Sequence, residues 1–537
     1  METVFAAFMA SAERAPENAF LCAPPAPGRA YDPAGVEYTY GETRARVLAL
    51  QALYRAGGYG PGTRVALQLG NRPDFFFHFL ALNGLGAAIV PVNPDYRDDE
   101  LLYLLTHSEA DLVVSVPEDL ARLRRVAVRR EAPLAVIDSA AFPTSLPEPP
   151  RPPPDRVVRG AAALCGLLYT SGTTGRPKGC ILTNEYYLTA GGWYRDLGGM
   201  IAIRPGEERI LNPLPLFHMN CQAVTAVCVM LTQNCLVLPE RFSPSRWWAD
   251  VVASDATIVH YLGVVPPLLL NQPTSELERC HRLRFGLGAG VEPELHARFE
   301  ERFGFPLIEV WGMTETGRIF ADSYDPRQIA TRAFGRPFGG FEAKVVNEDG
   351  WELPHGQEGE LLVRAAGPNP RRGFFSGYLK NEAATEEAWA GGWFHSGDVV
   401  RQAADGMLYF VDRKKNIIRR AGENIAAAEI EAVLQAHEAV AQVAVLAAPD
   451  EIREEEVMAC IVAMPGHEAD AALAGELFAW CNERLAYYKA PGWILFVAAL
   501  PTTGTQKVQK TQIFAAGEDP RTRAGAIDLR ERKKRPR

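Results

Sequence analysis

Residues 169–179 read YTSGTTGRPKG: three glycines, the small hydroxyl side chains of Thr170, Ser171, Thr173 and Thr174, and a closing Lys178. Glycine lets a backbone turn tightly and come close to a ligand. The freed N–H groups and hydroxyls then converge on one point as donors. The lysine makes the target an anion, and a triphosphate is the natural one. The stretch is not the common phosphate loop, which requires G-x-x-x-x-G-K-[ST] between a strand and a helix. Pro177 stands five residues after Gly172, and Gly179 follows Lys178, so that pattern fails. Some other phosphate-handling arrangement is expected.

Four further stretches carry reactive residue types: WGMTETG at 311–317, WFHSGD at 393–398, DRKKNIIRRAGEN at 412–424 and LPTTGTQKVQK at 500–510. Taken singly, each has an ordinary reading. Most glutamates are exposed carboxylates, and an aspartate after Ser-Gly is usually a turn residue. Glu315, however, follows the strand-like PLIEV at 306–310, and open parallel sheets bind ligands beyond their strand C-termini. GLGAG at 286–290 lacks the third glycine of the dinucleotide fingerprint, because Val291 occupies that place.

The elements that must hold these residues are legible as alternating strands and helices. TRVALQLGN at 63–71, an apolar helical run from Pro73, and the turn into AAIVPV at 87–92 are followed by the helical DDELLYLLTHS and the strand EADLVVSV. Such alternation implies βαβ units and parallel sheet. PTSLPEPPRPPPD at 143–155 is a proline-dense surface connector. From about residue 340, short alternating strands with Asx-Gly and proline turns indicate a small antiparallel barrel or sheet. After residue 424 the pattern reads α, β, β, α, β, a compact α+β module.

The totals set the bounds. A chain of 537 residues needs more than one core. A net charge of −9 argues against a dedicated nucleic-acid binder, and the basic end RERKKRPR is expected to be a solvated tail. Nine cysteines, an odd number with no C-x-x-C, suggest neither a disulfide framework nor a thiolate zinc site and fit a reducing cytoplasm. The N-terminus lacks the basic and apolar regions of a signal peptide. The most apolar runs are broken by polar residues or glycine, so they read as buried core and not as membrane spans.

Taken in order, the five motifs resemble those of the acyl-adenylate-forming superfamily, which includes acyl-CoA synthetases, peptide-synthetase adenylation domains and beetle luciferase. With YTYGE at 38–42 and PVNP at 91–94, the resemblance covers nearly the whole chain. It implies an α/β fold: a large N-terminal domain (1–414) of βαβ sheets plus a small antiparallel barrel, and a mobile C-terminal α+β domain (415–537) hinged near Lys415. It implies an ATP-dependent ligase that activates a carboxylic acid as acyl-AMP with release of pyrophosphate, then forms the CoA thioester.

The resemblance also distributes the roles. Thr170, Ser171, Gly172, Thr173, Thr174, Gly175 and Lys178 would hold phosphates, and Gly288, Ala289 and Gly290 would form a shelf under the adenine. Thr314 would donate to the α-phosphate, Glu315 with Thr170 would ligate Mg²⁺, Trp311 would wall the adenine or the acyl group, and Gly312 would belong to the ATP site. Asp398 and Arg413 would take the ribose. Lys507 would bridge the acid and the α-phosphate, although Gln506 stands where the family has glycine. Gly422 and Glu423 would line the route of CoA once the small domain has turned.

PLPLFHMNCQ at 213–222 matches the segment lining the acyl pocket, with His218 near the carboxylate. The absence there of the aspartate common in amino-acid adenylation domains argues against an amino acid. FHMNCQ and PERFSPSRWW look most like crotonobetaine/carnitine–CoA ligases, which makes a carnitine-like or fatty acid the expected substrate. Trp193, Trp247 and Trp248 could face a quaternary ammonium group, whereas Arg318 could pair with an anionic tail. Loading of a separate carrier protein, aryl-CoA ligation and an inactive binding protein stay open, as does the oligomeric state.

Overall fold

The computed structural model describes residues 2–96, 98–152, 154–170, 177–420, 423–450, 453–485, 487–502, 508–515 and 517–533, without side-chain detail at Lys415, Arg419, Glu423, Asn424 and Glu454. Packing divides the chain into two compact units, residues 1–342 with 364–394 and residues 343–363 with 395–537.

The first unit holds two sheets. In the larger, six parallel strands run in the order Leu307–Gly312, Phe285–Ala289, Ile258–Leu262, Arg209–Leu211, Cys235–Val237 and Ala19–Ala23, with an antiparallel strand at each edge, Ile319–Ala321 and Val36–Thr39. In the second, Ala135–Asp138, Leu112–Ser115, Arg64–Gln68, Ala88–Pro91 and Leu164–Thr170 are parallel and Lys178–Thr183 closes the sheet antiparallel. The strands expected at 63–71 and 87–92 are neighbours, joined by the helix Pro73–Leu85. That helix starts on Pro73, whose missing N–H costs nothing in a first turn, and stops at Gly86 in the left-handed region at φ +79°. It is buried nearly all round, which is why its sequence is apolar without a polar face. Among the described residues no helix is long and apolar enough to cross a membrane.

The strands Phe341–Val346, Glu358–Ala365, Phe394–Gln402 and Leu408–Arg413, most of whose residues belong to the second unit, lie side by side in sequence order, the last two antiparallel. The module after it has the order read from the sequence: helix Ala427–Gln435, strands Val440–Asp450 and Glu454–Ala463, helix Ala471–Arg484, strand Trp493–Phe496. Its core is Ile418, Ile430, Leu434, Val445, Val457, Ile461, Leu477 and Ile494, all fully buried.

The C-terminal tail corrects one expectation. Residues Ala526–Asp528 add an antiparallel strand beside Trp493–Phe496, and Leu529 enters the core. Arg530 donates to Asp450 at 3.0 Å, and the Lys533 ammonium is buried against Glu456 at 2.5 Å. Glu456 is fully buried and also takes Arg420 Nε at 2.8 Å. A basic tail reads as solvated from composition, but two buried carboxylates need counterions, and the tail supplies them.

Candidate active site

The hydroxyl-rich stretch joins Leu164–Thr170 to Lys178–Thr183, two antiparallel strands in which Thr170 pairs with Lys178. This explains the failed phosphate-loop pattern: the segment connects strand to strand, not strand to helix. Ser171, Gly172, Thr173, Thr174 and Gly175 lie outside the described residues. Lys178 places its ammonium 4.8 Å from the centre of the Tyr378 ring. The Tyr378 hydroxyl donates to Glu315 Oε1 at 2.9 Å. The structure therefore brings Lys178 and Glu315 to one place through a tyrosine that the sequence reading missed. Tyr378 arrives because residues 376–379 lie along the hairpin: Ser376 N donates to Ile181 O, Ile181 N to Gly377 O and Leu379 N to Gly179 O. Burial, then the Glu315 charge, hold its hydroxyl well above the ordinary tyrosine range, so it stays a donor.

Glu315 is buried, and its carbonyl accepts from Phe375 N at 2.9 Å. The turn that carries it is pinned by Thr316, fully buried, whose hydroxyl donates to Met313 O and to Arg318 O at 3.0 Å each. Tyr186 donates its hydroxyl to Thr314 O at 2.6 Å. Trp311 is buried and stacks on Phe320 and Phe334, while Gly312 is exposed opposite Ile319.

Gly288, Ala289 and Gly290 end the neighbouring strand. Gly288 is required by closeness: a Cβ there would lie 2.3 Å from Tyr261 O. The stretch is braced by Glu309, which accepts from Gly290 N at 2.8 Å, Val291 N at 3.3 Å and the Tyr261 hydroxyl at 2.5 Å. Burial outweighs these three donors and pushes the Glu309 carboxyl up to about 7. A carboxyl that keeps its proton in the folded chain, but loses it near 4.5 when unfolded, stabilises the fold below that pH. The contribution, about 3 kcal/mol, is lost as pH rises through about 7. Thermal melts at pH 5 and 8 should therefore differ more for the wild type than for Glu309→Gln. Equal differences would mean that Glu309 is ionised throughout.

His218 precedes a widened helical segment, Asn220–Thr225, that runs into the helix Ala226–Thr232. Its backbone N–H donates to Pro215 O at 3.0 Å, and its ring lies 4.7 Å from that of Phe217. The three tryptophans do not form one surface. Trp247 and Trp248 are packed in the core with Val251, Phe303 and Phe305. Trp193 stands elsewhere, donating to Ile319 O and facing the Arg318 guanidinium at 5.6 Å.

In the second unit Asp398 is fully buried and sits directly across the strand pair from Arg413, whose Nε reaches its carboxylate at 2.6 Å. Ser396 orients that segment, donating to Leu361 O at 2.6 Å and accepting from Asp398 N at 3.1 Å. Asp412, which the sequence reading passed over, accepts from Arg413 N, Asn416 Nδ2 and Ala428 N at 2.6, 3.1 and 2.8 Å. It thereby ties the chain on both sides of Lys415 to the start of the helix Ala427–Gln435. The Lys415 and Glu423 side chains, Gly422, Gln506 and Lys507 lie outside the described residues. Lys489 and Lys510 are engaged in ion pairs, with Glu429 at 2.6 Å and Glu431 at 2.8 Å.

Residues 8–379 match the model of the AMP-binding enzyme family, and residues 429–507 that of the AMP-binding enzyme C-terminal domain. The chain belongs to this family. A sulfoacetate–CoA ligase of Cupriavidus necator is 32% identical over 523 residues, 96% of this chain and 97% of that enzyme. A crotonobetaine/carnitine–CoA ligase of Proteus mirabilis is 30% identical over 495 residues, 89% and 93% of the two chains. Among solved structures, MenE of Bacillus subtilis in complex with the acyl-adenylate OSB-AMP superposes with a TM-score of 0.79 at 25% identity, covering 97% of this chain and 99% of that one. ATP-bound MatB from Rhodopseudomonas palustris has the same fold, with a TM-score of 0.79 at 24% identity and coverage of 96% and 98%.

Proposed function

We propose that the protein activates a small carboxylic acid with ATP, releasing pyrophosphate, and passes the acyl group from acyl-AMP to CoA. AMP-forming acid–CoA ligation is the chemistry of its relatives. The observation that carries the reading is the Lys178–Tyr378–Glu315 cluster at the mouth of the hydroxyl-rich hairpin. A cation and an oriented carboxylate held together are what a triphosphate and its counterion would need.

In the first half-reaction an oxygen of the acid attacks the α-phosphorus and the bond to pyrophosphate breaks. Lys178 and the hydroxyls from Thr170 to Thr174 would hold the β- and γ-phosphates, and Thr314 the α-phosphate. Among the described residues no cluster of three His, Cys, Asp or Glu could cage a metal. A single carboxylate oriented by a phenol instead suits Mg²⁺, which completes its shell with phosphate oxygens. Glu315, with Thr170, would hold that ion, which when bound neutralises charge on the phosphates. The glycine shelf braced by Glu309 would carry the adenine with Trp311 and Gly312, and Asp398 with Arg413 the ribose diol. His218 would lie by the acid's carboxylate, and Lys507 between it and the α-phosphate.

In the second half-reaction the C-terminal domain, residues 415–537, would turn about Lys415 and present Gly422 and Glu423 to CoA. Nine free cysteines, eight of them buried, suit a cytoplasmic setting. The experiment is acid-dependent pyrophosphate and AMP release by the purified protein, with and without CoA. Thioester and AMP together are expected. Acyl-AMP that accumulates while CoA stays unused would point to a carrier protein as acceptor, and no acid-dependent release with any acid would refute the ligase reading.

A further inference from the structure

Two of the curated relatives are named for acids whose tails differ in charge, and a buried cation in this chain bears on that difference. Arg318 follows the Thr314–Gly317 turn and leads into the strand Ile319–Ala321, at the carboxyl edge of the parallel sheet. It is 5% exposed. Nη2 donates to Arg372 O at 2.8 Å, while Nη1 is buried with no hydrogen-bond partner among the described residues. No described carboxylate forms an ion pair with it. Its remaining neighbours are the rings of Trp193, Phe341 and Phe374, with centres 5.4–5.6 Å away. Room for the guanidinium depends on Gly373, at φ +72°, where a Cβ would stand 2.8 Å from Nη2.

A guanidinium taken out of water without a counterion is costly, and ring faces offset only part of that cost. Burial and the nearby Arg372 charge pull Arg318 down to about 10, with exposed Glu185 opposing weakly, so it remains charged at neutral pH. An anion is the natural partner for such a cation. The same geometry removes the aromatic-cage alternative. Trp193 already faces a cation, Trp247 and Trp248 are core, and a trimethylammonium group beside Arg318 would meet like charge.

We infer that Arg318 is a specificity-determining residue that receives a second anionic group, a sulfonate or carboxylate, at the far end of a short acid. The inference rests on the ligase reading and deepens it. Arg318 and Glu315 are three residues apart, so their Cα atoms are at most about 11 Å apart, which favours a short acid.

The test is acid-dependent AMP formation by the full-length enzyme with four probes: the short sulfoacetate and malonate, neutral butyrate of similar length, and the longer, cationic-tailed crotonobetaine. The expected result is kcat/KM for an anionic-tail probe at least about tenfold above butyrate, with crotonobetaine the poorest. Arg318→Leu should lower the anionic-to-neutral ratio by about 10- to 100-fold, the worth of hydrogen bonds to a charged group, and Arg318→Lys should retain part of it. A wild-type preference for butyrate or crotonobetaine would overturn the inference, as would an equal loss on all probes in Arg318→Leu. Should that variant not fold, the wild-type ranking and Arg318→Lys decide. ATP–pyrophosphate exchange with a broad pool of acids separates the two levels. Exchange with other acids but no anionic-tail probe refutes only the Arg318 assignment, whereas no exchange at all refutes the ligase reading beneath it.

Discussion

Lys507→Ala is expected to slow acid adenylation by about 10²–10³, the usual worth of one preorganised charge at a reacting centre, yet to convert supplied acyl-adenylate and CoA to thioester at near the wild-type rate. Acid and triphosphate are both anions, and an ammonium between carboxylate and α-phosphate removes the repulsion that separates them. On the proposed reading the C-terminal domain turns once the adenylate has formed, and that charge would then have no further part in the chemistry. The structure sharpens the control. Lys489 and Lys510 each pair with a carboxylate of the helix Ala427–Gln435, so both have a structural occupation. Lys510→Ala should therefore cost stability modestly, since exposed and half-buried ion pairs are worth little, and should leave the ratio of the two half-reactions unchanged. Stopped-flow measurement of each half-reaction decides. Equal loss in both for Lys507→Ala, or a selective loss for Lys510→Ala, would sink the assignment.

The readable part of the molecule was the part governed by local rules. Parallel strands, the helix from Pro73 to Gly86 and the α, β, β, α, β module follow from periodicity and caps that a short window contains. Glu315, Asp398 and Lys178 were singled out because they belong to motifs in which several unusual residue types coincide. Tyr378 was not, because its partner Glu315 is 63 residues away; only the pairing of residues 376–379 with the hairpin brings the phenol there. Glu309 was missed for a related reason. A glutamate inside an apolar strand gives no hint that two backbone amides and a tyrosine await it. Composition alone left the tryptophans open between core and an ammonium-facing surface, and it misread the basic tail as solvated. Aromatic residues close in sequence, such as Trp247 and Trp248, can all face the core, and positive charge near a terminus can be drawn inward by buried acids such as Glu456. In each case the deciding term was a long-range electrostatic or packing partner that no local pattern encodes.

Asp398 is where local pattern and long-range geometry agree, and its replacement gives the second large effect. Its carboxylate is fully buried and tied to Arg413 at 2.6 Å from the neighbouring strand. A carboxylate offers two oxygens with about four acceptor sites, which suits it to take both hydroxyls of a vicinal diol. Asp398→Ala should lower kcat/KM for ATP by about 10²-fold or more, since each hydrogen bond to a charged group is worth about 1.5–3 kcal/mol. The Arg413 side chain is 34% exposed, so it can turn to water, and the fold should survive the loss. Asp398→Asn keeps shape and one acceptor and should fall between. The decisive comparison pairs the variant with 2′-deoxy-ATP. Wild type should discriminate against the deoxy nucleotide, whereas Asp398→Ala, which has already lost the acceptor, should scarcely distinguish the two, so that the losses are not additive. If instead the two losses simply add, or the KM for ATP is unchanged, the carboxylate serves only to hold Arg413 across the strand pair.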